Sequence, residues 1–148
     1  QEIYSICKDL DLNGKIIDSF DEISKENEIY IVNAIGEMAN YFLNCKSVFM
    51  GKSLSKKLIK VGGQNPIEPA KYGCKIYHGP FVSNFKEIYE LLNNKKITHQ
   101  IYDEKELSDN LFKDFTTKNQ TLNQNNVKDL DRYGKEILDK TLREVLKF

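Results

Sequence analysis

The chain has 148 residues, with 22 Lys and Arg against 22 Asp and Glu, so its charges cancel. That balance excludes a broad electrostatic affinity for nucleic acid, and no apolar run approaches the length of a membrane span. A hydrophobic fraction of 40% beside 30% charged residues describes one soluble globular domain with a real core.

Glu2 to Leu12 carries Ile3, Ile6, Cys7 and Leu10 at helical spacing and is stopped by Asn13-Gly14. Ile16 to Ile23 is too short and mixed to assign. Glu28 to Asn33 is a β-rich apolar run, read as a buried strand. Gly36 then opens a helix through Met38, Tyr41 and Phe42 that ends near Asn44. Ser47 to Met50 reads as the next strand and runs into Gly51. A short helix reaching Tyr72 is stopped by Gly73, and Lys75 to His78 is a third strand ended by Gly79-Pro80. Asn84 to Leu92 is amphipathic, with Phe85, Ile88, Tyr89 and Leu92 on one face. Ile97 to Tyr102 makes a fourth strand and Glu104 to Phe115 a helix. The polar run Thr116 to Asn126 reads as loop, and residues 127–147 as a long terminal amphipathic helix.

Strands alternating with helices predict an α/β fold, a Rossmann-like parallel sheet with flanking helices. Ligands of such sheets bind at the carboxyl ends of the strands. The glycine turns gather there: Ile35-Gly36-Glu37, Gly51-Lys52-Ser53, Gly62-Gly63 and Gly79-Pro80. Within Gly62-Gly63-Gln64-Asn65-Pro66-Ile67-Glu68, the glycines leave backbone N–H groups uncovered. Asn is a favoured cap and Pro suits the first helical turn. A helix start of this kind suits a phosphate, and Glu68, one turn in, suits the two hydroxyls of a ribose. The same residues also fit a capping box in which Glu68 reaches back to Asn65, or a helix capped by Glu68 itself ahead of Pro69. Both readings stand at the level of sequence.

The three cysteines, Cys7, Cys45 and Cys74, are far apart and, with only two histidines in the chain, offer no metal-ligand spacing. They read as buried free thiols. Neither a metal nor a cofactor is expected.

Taken together, Ile35-Gly36-Glu37-Met38, Val48-Phe49-Met50-Gly51-Lys52-Ser53-Leu54, Gly62-Gly63-Gln64-Asn65-Pro66-Ile67-Glu68-Pro69, His78-Gly79-Pro80 and Asn84-Phe85, in that order, resemble one family. They look like the carboxyl-terminal domain of 3-deoxy-D-manno-octulosonic acid (Kdo) transferase, over most of residues 29–93. The resemblance implies the donor-binding domain of a GT-B glycosyltransferase that uses CMP-Kdo as donor and a lipid A precursor as acceptor. It places the parent enzyme at the cytoplasmic face of the bacterial inner membrane, with no nucleic-acid partner. Carried over by position, Ile35, Gly36, Glu37, Asn65, Pro66, Ile67 and Glu68 would contact the nucleotide, Glu68 at the ribose. Ser53, Gly62, Gly63 and Gly79 would line the cleft. No catalytic residue is expected in this chain: the family's base belongs to an amino-terminal acceptor domain. The chain, which begins with Gln1, is expected to be a carboxyl-terminal piece lacking that domain and the first strand of its own sheet. The alternatives are a non-catalytic remnant of a split gene, or an unrelated Rossmann-like nucleotide-binding module. The loop from Leu54 to Val61 is longer than the family pattern, Gln64 stands where His is usual, and Asn33 where an acid is common. The lysines of that loop, Lys52, Lys56, Lys57 and Lys60, read either as a solvated loop or as a contact for lipid phosphates.

Overall fold

The computed structural model describes residues 2–117 together with Arg132 and Arg143. Apart from those two arginines, the expected terminal helix at 127–147 and the loop from 118 lie outside the described residues. The chain divides into two compact units, Gln1–Asn44 and Cys45–Phe148.

In the first unit, α1 (Glu2–Asp9) leads into β1 (Gly14–Ile17), which pairs in parallel with β2 (Ile29–Val32), Gly14 opposite Ile29 and Ile17 opposite Val32. α2 (Met38–Asn44) closes the unit. The first helix is where its spacing puts it, with Cys7 as its buried residue. β1 is the strand that the mixed stretch after Gly14 conceals. Between the two strands a 3-10 turn, Phe20–Glu22, is fixed by a capping box on Ser19. The Phe20 ring meets Tyr41 of α2 edge-on, centroids 5.1 Å apart. β2 is not the buried strand its composition suggests: Ile29, Tyr30 and Ile31 are half-buried and Val32 is exposed. In a two-stranded sheet both strands are edges, and α1 is the helix packed on them.

The second unit holds a separate parallel sheet in the order β3-β4-β5, formed by Ser47–Phe49, Lys75–His78 and Thr98–Gln100. The alternation of elements therefore yields two parallel sheets instead of one. β4 is central and reads as a continuous apolar run for that reason, Ile76 and Tyr77 being wholly buried. α3 (Ile67–Lys71) packs against β4, and α4 (Lys86–Asn94) against β5. The core joins Met50, Ala70, Ile76, Val82, Tyr89, Leu92 and Ile97, with Val48, Phe85 and Ile88 against it. The apolar face predicted for α4 is thus the one buried. No helix among the described residues is long and apolar enough to cross a membrane.

The last described helix, α5 (Glu104–Thr116), is capped by Asp103, whose carboxylate accepts from the Glu106 amide at 2.7 Å. It is tied to the sheet by one buried carboxylate. Asp114 accepts from Ser47 Oγ at 2.8 Å, Tyr77 Oη at 2.7 Å and Lys75 Nζ at 2.7 Å. Asp114 and its partner Tyr77 are nearly inaccessible, and the acceptor beside it holds the Tyr77 phenol, already raised by burial, well above the ordinary tyrosine pKa. Removing the carboxylate strands a buried hydroxyl and a half-buried ammonium group. Asp114→Ala should cost about 3 kcal/mol of stability, read by urea unfolding of the whole chain. A loss under about 0.5 kcal/mol, as at an ordinary surface site, would show that the network does not hold α5.

Candidate functional site

The loop leaving β3 is held by a single side chain. Ser53 is fully buried. Its hydroxyl donates to the Met50 carbonyl at 2.6 Å and accepts from the Gly79 amide at 2.8 Å, while its own carbonyl accepts from Phe81 N at 2.9 Å. The carboxyl ends of β3 and β4 are joined through it. Gly79 has to be glycine here, because a Cβ would run into the backbone of Ser53 and Leu54. These two residues were expected along the cleft; the structure makes them its clamp, with the Ser53 hydroxyl already used as donor and acceptor.

The Gly62-Gly63 turn is held in the same manner from the other side. Gly62 has φ +75°, and a Cβ would collide with the Asn84 side chain; one on Gly63 would sit 2.8 Å from Val82 Cγ1. Asn84 Nδ2 donates to the Gly63 carbonyl at 2.9 Å, and Tyr89 Oη donates to the Gln64 carbonyl at 2.8 Å. Burial keeps the Tyr89 phenol protonated far above its ordinary range, so it remains a donor. Asn84 thus fixes a loop carbonyl. Asn84 and Tyr89 were not read from sequence as loop holders. The signal available was two polar groups on or beside the buried face of α4.

What this clamped loop presents is Asn65 to Glu68. The Asn65 side chain accepts from the Ile67 amide at 3.0 Å, an Asx turn, and Pro66 occupies the cap position of α3. One of the amides expected to face an anion is thus already satisfied. Pro66 is buried, Ile67 half-buried and Glu68 exposed. The Glu68 carboxylate has no hydrogen-bond or ion-pair partner among the described residues. The capping box between Asn65 and Glu68 is not formed.

Ile35, Gly36 and Glu37 lie in the first unit. Ile35 is fully exposed on a turn that Gly36 makes with φ +90°. The Glu37 carboxylate accepts from the Phe20 amide at 2.8 Å, while Ile35 and Gly36 stay exposed. The hydroxyl of nearby Tyr41 is buried without a hydrogen-bond partner.

His78, at the end of β4, is buried; its Nδ1 lies 2.7 Å from the Gly79 carbonyl and donates to it, and its ring leans on Tyr89, centroids 4.4 Å apart. It lines a cleft of about 310 Å³ with Tyr89, Lys86, Glu90, Asn93 and Gln100. Of the cysteines, Cys7 and Cys74 are buried but Cys45 is exposed, against the expectation for all three. Burial, and then the neighbouring Cys45, push the Cys74 thiol up to about 11.

No family profile matches the chain. Over 126 residues it is 29% identical to the 3-deoxy-D-manno-octulosonic acid transferase of Rickettsia prowazekii (strain Madrid E), an alignment that takes in 82% of this chain and 26% of that protein. The likeness is to Kdo transferase. The fold agrees: the crystal structure of the C-terminal CMP-Kdo binding domain of WaaA from Acinetobacter baumannii matches with a TM-score of 0.68 at 23% identity. That match covers 77% of this chain and 57% of the other. The chain spans about a quarter of the length of the Rickettsia Kdo transferase, and its parallel sheets with flanking helices are the architecture of the WaaA domain.

Burial lowers the His78 pKa from 6.5, against the opposing pull of the Gly79 carbonyl. The unfolded chain then binds the extra proton first, so this stability is complete above the unfolded pKa and declines as pH falls below it. Chemical unfolding should show stability falling from pH 7 to pH 5, with a shallower slope in His78→Gln. An unchanged slope in that variant would remove His78 as the source.

Proposed function

We propose that this chain is the donor-binding part of a Kdo transferase, holding the CMP group of CMP-Kdo while the sugar passes to a lipid A precursor at the cytoplasmic face of the inner membrane. The observation that carries the reading is the Asn65-Pro66-Ile67-Glu68 turn, an exposed carboxylate with no partner among the described residues, in a chain similar to a Kdo transferase over 82% of its length. Glu68 would accept from the ribose hydroxyls. The Gly63 to Asn65 backbone would face the phosphate.

The reaction proposed for the whole enzyme is a displacement. A general base takes the proton of an acceptor hydroxyl, whose oxygen bonds to the anomeric carbon, and the bond from that carbon to the phosphate oxygen breaks. CMP leaves with the electron pair. The contribution of this chain is to hold the leaving group, and hydrogen-bond donors near the phosphate stabilise the charge that develops there. The base and the acceptor site are assigned to an amino-terminal acceptor domain.

Two or three charge-assisted hydrogen bonds at roughly 1.5–3 kcal/mol each, set against an association cost of at least ~4 kcal/mol, leave at most about 5 kcal/mol, so this chain alone binds CMP no tighter than roughly the millimolar to sub-millimolar range. Saturation-transfer NMR should detect CMP in preference to UDP and NAD. Glu68→Ala should abolish that signal and leave the melting temperature unchanged, since the carboxylate has no hydrogen-bond or ion-pair partner among the described residues. Undiminished CMP binding in the variant would refute the ribose role. A fall of several degrees in melting temperature would make Glu68 a structural residue.

A further inference from the structure

Residues 52–61 read Lys-Ser-Leu-Ser-Lys-Lys-Leu-Ile-Lys-Val, with four lysines and no acidic residue, in a chain whose charges cancel as a whole. Lys52, Lys56, Lys57 and Lys60 are all exposed, and none has an ion-pair partner among the described residues. The apolar residues set among them are exposed as well: Ile59 by 50% and Val61 by 53%.

This is not a loose segment that happens to lie outward. Ser53 clamps its first end and the packed Gly62-Gly63 turn its second. Between them a 3-10 turn spans Lys56–Leu58, and the Leu58 carbonyl accepts from Val61 N at 2.9 Å and Gly62 N at 3.1 Å. A backbone held this way displays Lys56, Lys57, Ile59, Lys60 and Val61 outward.

Uncompensated lysines repel one another, and exposed Ile and Val leave apolar area in water. A polyanion such as nucleic acid would satisfy the first and ignore the second. A bilayer interface carrying anionic lipid satisfies both, with phosphates at the headgroup level and apolar volume directly beneath. One acid, Glu104, lines the shallow recess with Phe49, Lys52 and Leu54 and forms no ion pair with any of the four lysines.

We propose that residues 52–61 dock the protein on anionic lipid bilayers, the lysines at headgroup phosphates and Ile59 and Val61 in the interface. The inference rests on this loop and is independent of the nucleotide reading: no residue assigned to CMP is altered by its test. The full chain should co-sediment with vesicles of phosphatidylcholine mixed with phosphatidylglycerol, at low salt, and not with phosphatidylcholine alone. Replacing Lys52, Lys56, Lys57 and Lys60 together with Gln should weaken partitioning at least about tenfold. The pair Ile59→Ser and Val61→Ser should weaken it severalfold with the lysines intact. All six positions are exposed, so circular dichroism should show unchanged melting. Equal binding to neutral vesicles, or undiminished binding by the Gln variant, would overturn the proposal. Binding that soluble polyphosphate abolishes and the Ser pair leaves untouched would overturn it too, in favour of a general polyanion site.

Discussion

The second unit depends on one buried hydroxyl. Ser53 Oγ joins the Met50 carbonyl, where β3 ends, to the Gly79 amide, where β4 ends. Parallel strands leave their carboxyl ends open, and loops there would diverge without a tie. A hydroxyl that donates to one strand end and accepts from the next is fully satisfied, so its burial carries no unpaired polar group. It fixes the start of the loop that carries both the basic segment and the Gly62-Gly63 turn. The close approach is possible because position 79 has no side chain.

From that clamp the loop runs to a second one built on α4. Tyr89 belongs to the core on one side and holds the Gln64 carbonyl on the other, so the packing of α4 determines where the turn before α3 stands. Asn84 reaches the Gly63 carbonyl one step earlier. The outcome is a division of labour along a short stretch: Ser53, Asn84 and Tyr89 fix the backbone of the loop, and Asn65 fixes the turn into α3. The Glu68 carboxylate has no hydrogen-bond or ion-pair partner among the described residues. An exposed carboxylate on a rigid support is suited to binding because little conformational entropy remains to be lost.

Legibility in the sequence followed the locality of the signal. The Phe85, Ile88, Tyr89, Leu92 spacing gave α4, and the apolar run of β4 between glycines was equally plain, since each depends on neighbours in the chain. β1 was concealed because Gly14-Lys15-Ile16-Ile17 is short and starts with glycine; its strand character comes from parallel pairing with β2, fifteen positions away in register. Asp114 was hidden for a related reason, its partners lying at Ser47, Lys75 and Tyr77. One clue was present: with Leu107 and Leu111 it falls on a single helical stripe, an acid where an apolar residue belongs. The tie between Ser53 and Gly79 was not legible, because their mutual hydrogen bond spans 26 positions. The choice between a capping Glu68 and a free one required the structure, since both share the same spacing.

The central claim is that a cytidine nucleotide settles on the turn these clamps hold rigid. Amide chemical shifts of the 15N-labelled chain, followed while CMP is added, test it most directly. The account predicts saturable shifts concentrated at Gly63, Gln64, Asn65, Ile67 and Glu68. Shifts confined to the His78 and Gln100 cleft, or none at millimolar CMP, would contradict it.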